Sequence, residues 1–403
     1  MLRKLNLRLL LLLLLAALPG EACADPAPDP TLEYAERARK LDRKNPGPWL
    51  ELADFCESRL LWPQREEALQ AVVGIAPDHA EAHARLGEGL YQGRWIPIEA
   101  SEALEIAENE EKGLAFYGKG WVPEAEAERL RAADSKTAGW NVLVRIDTPH
   151  LTLYSAPGVD FARYFAAVLE GEFALYHRLY GKRWGLDPAG PPLPVYLFAD
   201  PKTYQASATA ITPQARPDLW PCMFNNRTGI LYVGMTPAMA KEPFDSAATT
   251  FLAVFEVIRA LDDTQAPCLA RSPRWLQIGR ADYFGYALNG RRILPGSTAM
   301  APADAADILQ EGLESVSIAA LMNLSQAAYD KDVRRNYLWS WAWVHFLCHG
   351  EGGKHATAFL EFLDSPVPKS SVEGFEKAVG PVKDLEPAFK TYVEKELLPS
   401  LGP

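Results

Sequence analysis

Two groups of side chains in this sequence have the types and spacing for chemistry. The first lies in the stretch 249–263, where Glu256 and Arg259 are the charges that precede Asp262 and Asp263. Phe251, Leu252, Val254, Val257, Ile258 and Leu261 make that stretch apolar nearly all round a helix, which predicts burial. Glu256 and Arg259 stand three residues apart on one face, and a carboxylate buried there needs a cationic partner. The spacing therefore predicts an ion pair; the alternative is a Glu256 that reaches solvent through a cleft. The second group is His345, Cys348 and His349, whose i, i+3, i+4 spacing on one helix is that of metal ligands. Val344-His345-Phe346-Leu347 also reads as a packing face, and packing is the preferred reading. His79 and His83 share a helical face too, where a solvated surface accounts for them, and His150, His177 and His355 are scattered. The sequence has no G-x-S-x-G elbow, Walker loop or dinucleotide fingerprint.

The chain that must position these groups has 403 residues, 48% of them apolar and 23% charged, enough for two or three domains and a sizeable core. Its net charge of −11 argues against a nucleic-acid partner, which requires a basic face. Arg3, Lys4 and Arg8 precede an unbroken leucine run over 9–15, and Ala22-Cys23-Ala24 offers a small-x-small cleavage site. Residues 1–24 are therefore expected to be a cleaved signal peptide. The run is short for a membrane span, and Pro19-Gly20 breaks it. The mature protein is expected to be exported, periplasmic or extracellular, with no membrane association. Four cysteines remain after that cleavage, and Cys222 and Cys268, both in Pro-containing loops, are the expected pair if any disulfide forms. Cys56 and Cys348 sit in apolar helical patterns as buried thiols.

Residues 25–92 read as a proline-rich spacer followed by four helices, the fourth carried by Ala82, Leu86, Leu90 and Tyr91. Leu52-Ala53 aligns with Leu86-Gly87, with Asn45-Pro46 and Pro77-Asp78 breaks at matching places, and this resembles a tetratricopeptide-like array of about two repeats. Residues 93–138 hold two Gly/Trp modules, Gly93-Arg94-Trp95-Ile96-Pro97 and Gly120-Trp121-Val122-Pro123. Each precedes a helix, and they read as connectors anchored on the main domain. From residue 139 strands appear at 140–146, 150–155, 193–198 and 228–234, the last read as the sheet's edge after a polar loop over 207–227. A helical block follows to the end, so residues 139–403 are expected to be an α+β domain.

The phrase Pro273-x-Trp275-Leu276-x-x-Gly279-x-Ala281-x-Tyr283-Phe284 closely resembles the P-x-W-L-x-E-G-x-A-x-Y-F signature of the peptidase-MA-like gluzincins, a zinc metallopeptidase group. Tyr337-x-x-Ser340-x-x-x-Val344-x-Phe346-Leu347 is similar to a later helix of the same families. The resemblance covers roughly residues 140–398 and implies a thermolysin-like fold, with a mixed sheet followed by a helical block. It implies a zinc site on an H-E-x-x-H helix, completed by a glutamate on the next helix. At the two histidine positions this chain has Phe255 and Arg259, and at the glutamate-ligand position Ile278. Glu256 alone survives, at the general-base position, with Tyr337 a candidate relic of a transition-state donor. Phenylalanine and isoleucine have no donor lone pair and a guanidinium stays protonated, so zinc binding is expected to be lost and no cofactor is expected. Trp275, Leu276, Gly279, Ala281, Tyr283 and Phe284 would then frame a cleft kept for binding. The implied function is that of a non-catalytic metallopeptidase-like protein holding a peptide or protein segment in the cleft and on the helical repeats. The alternatives are a hydrolase using Glu256 with another nucleophile or metal site, and a purely structural envelope protein.

Overall fold

The computed structural model describes residues 30–59, 61–187, 190–211, 222–234, 246–266, 269, 272–365 and 372–402. The expected signal peptide and Cys268 lie outside the described residues.

The chain opens with helices α1 (Pro30–Lys40), α2 (Pro46–Ser58), α3 (Trp62–Ile75) and α4 (Ala80–Leu86). Asn45 starts α2 by accepting the Gly47 N–H at 3.1 Å, with Pro46 at the first helical position, so this break falls where the sequence puts it. The expected fourth helix stops early. Gly87 ends α4 in the left-handed region (φ 83°), and Leu90 and Tyr91 lie instead in strand β1 (Glu88–Tyr91). That strand pairs with β2 (Arg94–Pro97) across Gln92-Gly93, both at positive φ (47° and 78°), the geometry of a two-residue hairpin turn. The end of the expected fourth helix is therefore the first strand of a hairpin, while Ala82 and Leu86 are helical as expected.

Helix α5 (Ile98–Glu111) follows, and then the same plan recurs: β3 (Leu114–Tyr117), β4 (Gly120–Pro123) and α6 (Glu124–Ala138). The Ile98 N–H donates to the Gly87 carbonyl in the first unit and the Glu124 N–H to the Gly113 carbonyl in the second, both at 3.0 Å. The two Gly/Trp modules are thus matching hairpin–helix units. Trp95 does not anchor on the main domain: its ring stacks on His83 at 4.0 Å. Trp121 donates to Glu105 Oε1 at 2.8 Å, within the paired units.

The main domain is α+β. Strands β5 (Val144–Asp147), β6 (Leu151–Ser155), β7 (Leu193–Leu197), β8 (Cys222–Asn225) and β9 (Ile230–Val233) form one mixed sheet in the order β5-β6-β7-β9-β8. The parallel pairs are β6–β7 and β7–β9, and the outer pairs are antiparallel. Period-two alternation sends Val144, Ile146, Leu151, Leu153, Val195, Leu197, Leu231 and Val233 into the main core. Tyr154, Tyr196 and Tyr232 go to the opposite face, beneath α8 (Pro201–Ile211). The expected edge strand is an inner one. β9 lies between β7 and β8, and the edge is β8, taken in the sequence for part of a polar loop. Its alternation is too short to register beside Asn225, Asn226 and Arg227.

Against the core face lie α7 (Val159–Tyr176), α9 (Ser246–Gln265), α10 (Arg274–Gly285) and, after a short hairpin β10–β11 (Leu288–Asn289, Arg292–Ile293) and three short helices, α14 (Val333–Gly353). Two glycines set how closely these helices approach. A Cβ on Gly279 would sit 2.4 Å from the Ser340 carbonyl oxygen of α14, and one on Gly285 would sit 2.6 Å from the Phe251 ring of α9. Gly279→Ala is expected to lower stability by about 1–3 kcal/mol through overpacking against backbone. Gly171→Ala, on the exposed face of α7 with open space around it, is expected to raise stability by about 0.5–1 kcal/mol. Paired denaturant melts check both signs.

Candidate functional site

The stretch around Glu256 folds as the apolar pattern requires. Val254, Val257 and Ile258 of α9 are fully buried, and Phe255 is 7% exposed. Glu256 itself is only 9% exposed and accepts from Arg259 Nη1 at 2.7 Å, one helical turn on. Glu256 raises the affinity of the Arg259 guanidinium for its proton, outweighing the opposing effect of burial. The second carboxylate oxygen reaches the sheet, where the Phe224 N–H of β8 donates to Glu256 Oε2 at 3.4 Å. Glu256 therefore joins α9 to the edge strand β8.

The flanking side chains close over this pair. Arg259 lies 5.9 Å from the Phe255 ring centroid, and Phe255 stacks on Tyr337 of α14 at 6.3 Å. Arg274, at the start of α10, donates to the Tyr337 hydroxyl at 3.3 Å. Burial pushes the Tyr337 hydroxyl's pKa up, with Arg274 and Arg259 pulling it back. Ile278, one turn further along α10, is fully buried. The three positions the resemblance assigns to zinc ligands thus hold a stacked ring, a paired guanidinium and a packed aliphatic chain. These residues do not fit a zinc ion.

Trp275, Leu276, Gly279, Ala281, Tyr283 and Phe284 are all buried. Trp275 packs edge-on against Phe375, and Tyr283 shares a hydrogen bond with His349 Nε2 at 2.8 Å. They do not line a cleft. The signature is a packing code that brings α10 against α14.

His345, Cys348 and His349 serve the same packing. The Gly296 carbonyl can only accept, so His345 Nε2 donates to it at 3.1 Å, which leaves Nδ1 to accept from the Tyr392 hydroxyl at 2.7 Å. Burial lowers the His345 pKa to about 4 and raises that of the Cys348 thiol to about 12. No group of three His, Cys, Asp or Glu arranged to hold a metal is present among the described residues. His83 overturns its expected solvated setting: it is 4% exposed, 2.5 Å from Glu88 Oε2 and 2.7 Å from the Pro77 carbonyl. His79 caps α4, accepting the Ala82 N–H. Cys222 is a buried free thiol.

Sequence reasoning missed three neighbours. Asp262 accepts from Arg280 at 2.5 Å and from the Tyr176 hydroxyl at 2.7 Å, a buried pair that ties α9 to α10 and α7. Burial pushes the Asp262 pKa up despite the pull of Arg280. Asp282, between Ala281 and Tyr283, is buried with Oδ2 lacking a partner, and Glu172 of α7 is buried with both oxygens lacking one. Burial raises both well above the usual carboxylate range. The signal was present: Arg280 and Asp282 flank Ala281 in a helix otherwise committed to the core. A groove of about 550 Å³ lies away from this site, between α3 and β11, lined by Trp62, Arg65, Glu66, Arg292 and Leu294 among others. No family model, curated protein or solved structure matches the chain.

Arg259→Ala strips Glu256 of its partner and is expected to lower stability by about 1–3 kcal/mol; adding Glu256→Gln should recover part of the loss. A thermal-melt double-mutant cycle measures the coupling. His345 gives a second expectation. Its folded pKa lies below its unfolded value, so the unfolded chain takes up the proton first and stability is lost as pH falls from about 6.5 towards about 4. Denaturant melts at neutral and mildly acidic pH should show this slope, flattened in His345→Gln.

Proposed function

We propose that this chain is an exported, non-catalytic gluzincin-like protein that holds an extended peptide or protein segment against strand β8. The observation that carries the reading is the Arg259–Glu256 ion pair, with Phe255 and Ile278 buried beside it. A positive charge is retained opposite the general-base carboxylate, but on a side chain that cannot ligate zinc or activate water. The order of the chain supports the gluzincin assignment: mixed sheet, antiparallel edge strand, α9, then α10 carrying the tryptophan phrase. Export rests on the basic, leucine-rich segment ahead of Ala22-Cys23-Ala24.

The binding step follows from the position of β8. Among the described residues no strand pairs with its outer side; Glu256 takes the Phe224 N–H there, and the other outward backbone groups of the strand are left for strand addition. Glu256 lies beside that strand at Phe224, where it fixes the edge. The helical unit of residues 30–86 offers a second surface for the same partner.

The mature protein should carry far less than one zinc per chain and leave casein intact. It should also retain peptides from an immobilised extended-peptide library, and alternate N-methylation of a retained peptide should abolish capture, because strand addition depends on backbone amides. Stoichiometric zinc with casein cleavage would overturn the reading. Capture indifferent to N-methylation would remove the strand-addition step.

A further inference from the structure

Residues 30–111 meet the rest of the chain across a seam whose ion pairs, among the described residues, all run in one sense, with Arg65 the cation on the N-terminal side that opposes Arg178 and Arg292. The carboxylates come from the N-terminal side: Glu57, Glu66, Glu99, Glu102 and Glu105. The guanidinium groups come from the other side: Arg163, Arg178, Arg291 and Arg292. Arg178 reaches Glu57 at 2.9 Å, and Arg291 reaches Glu102 at 2.5 Å and Glu99 at 3.2 Å. Arg163 reaches Glu105 at 2.9 Å and Glu102 at 3.6 Å, and Arg292 reaches Glu66 at 3.9 Å. Arg163 Nη1 and Arg291 Nη1 are buried and have no hydrogen-bond acceptor among the described residues.

Uncharged contacts across the same seam are Trp62 on the main core and α5 against β3 and α7, where the Trp121 indole N–H also donates to Glu105 Oε1 at 2.8 Å. The helices of residues 30–86 have their own core, built on Leu52, Ala53, Cys56, Leu69 and Val72, separate from the main core. Trp62 is the side chain of that unit packed on the main core, and its indole N–H donates to the Pro295 carbonyl at 2.5 Å. The second hairpin unit, by contrast, is tied into the sheet, with the Gly118 N–H donating to the Arg145 carbonyl and the Asp147 N–H to the Gly118 carbonyl, both at 2.8 Å. Between the tied and untied parts lies the turn at Lys112–Gly113, where Gly113 has φ 73° and open space around it.

We propose that residues 30–111 form an electrostatic latch, docked by their carboxylates on an arginine face and released about the Lys112–Gly113 turn when those charges are screened. The groove between α3 and β11 belongs to the docked state, since its two walls lie on opposite sides of the seam. Release opens that groove and bares Arg163, Arg178, Arg291 and Arg292. The Debye length falls from about 10 Å at 0.1 M salt to about 3 Å at 1 M, and half-buried pairs are screened less than exposed ones. Release is therefore expected towards the upper end of that range.

Small-angle X-ray scattering of the mature full chain, from about 0.05 to about 1 M NaCl, tests this. The expected result is a rise in radius of gyration of at least about a tenth, with far-UV circular dichroism unchanged. Arg163→Gln with Arg291→Gln should show the expanded form already at low salt. Arg129→Gln, at an exposed position paired only with Glu126, should behave as wild type. A radius that stays constant across the salt series in the wild-type protein overturns the latch, whether or not the double variant folds, and assigns the seam to the Trp62 contact.

Discussion

A carboxylate held out of water on the core side of α9 has to be compensated, and the structure is arranged around how that is done. Glu256 finds Arg259 on its own helix and the Phe224 amide on the edge strand. The compensation is local, so it survives without any ligand from α10. That frees position 278 for an aliphatic side chain and position 255 for a ring stacked on Tyr337. A charge-assisted hydrogen bond of this kind contributes more than a neutral one, and removal of either partner leaves the other exposed to the low-dielectric interior.

The same rule separates the other buried charges into two kinds. Asp262 is matched by Arg280 and Tyr176 and acts as a rivet between α7, α9 and α10. Asp282 and Glu172 have no such match, and burial drives both towards the neutral acid. Compensated groups lie where helices must be held in register.

The sequence showed most of the main domain and the identity of the central pair, because both follow from periodicity and from the rarity of charge in an apolar helix. It misread the edge strand. β8 is four residues long with polar residues next to it, so no alternation marks it, while β9 carries an obvious apolar run that a central strand also displays. It misread Leu90 and Tyr91 as helical because their spacing from Leu86 fits a helix. The decision lay with Gly87 and Gln92-Gly93, whose positive φ values turn the chain back on itself. The signature residues were found but their role was not. Gly279 looks like a site residue in one dimension, and only the 2.4 Å distance from its missing Cβ to the Ser340 carbonyl shows that it is there for close approach.

Since the tryptophan phrase is spent on packing α10 against α14, the surface left near Glu256 is the outer side of β8. Under the proposed reading, strand addition there would use backbone amides and carbonyls, which do not depend on the side chains at 255, 259 and 278. The side chains at 255, 259 and 278 and the free edge are separable on this fold: the first belong to two helices, the second to a strand. Glu256 links them, because the oxygen not held by Arg259 is the one that meets the Phe224 amide. A carboxylate in that position orders the edge strand in the absence of a metal. That gives the carboxylate a structural role of its own.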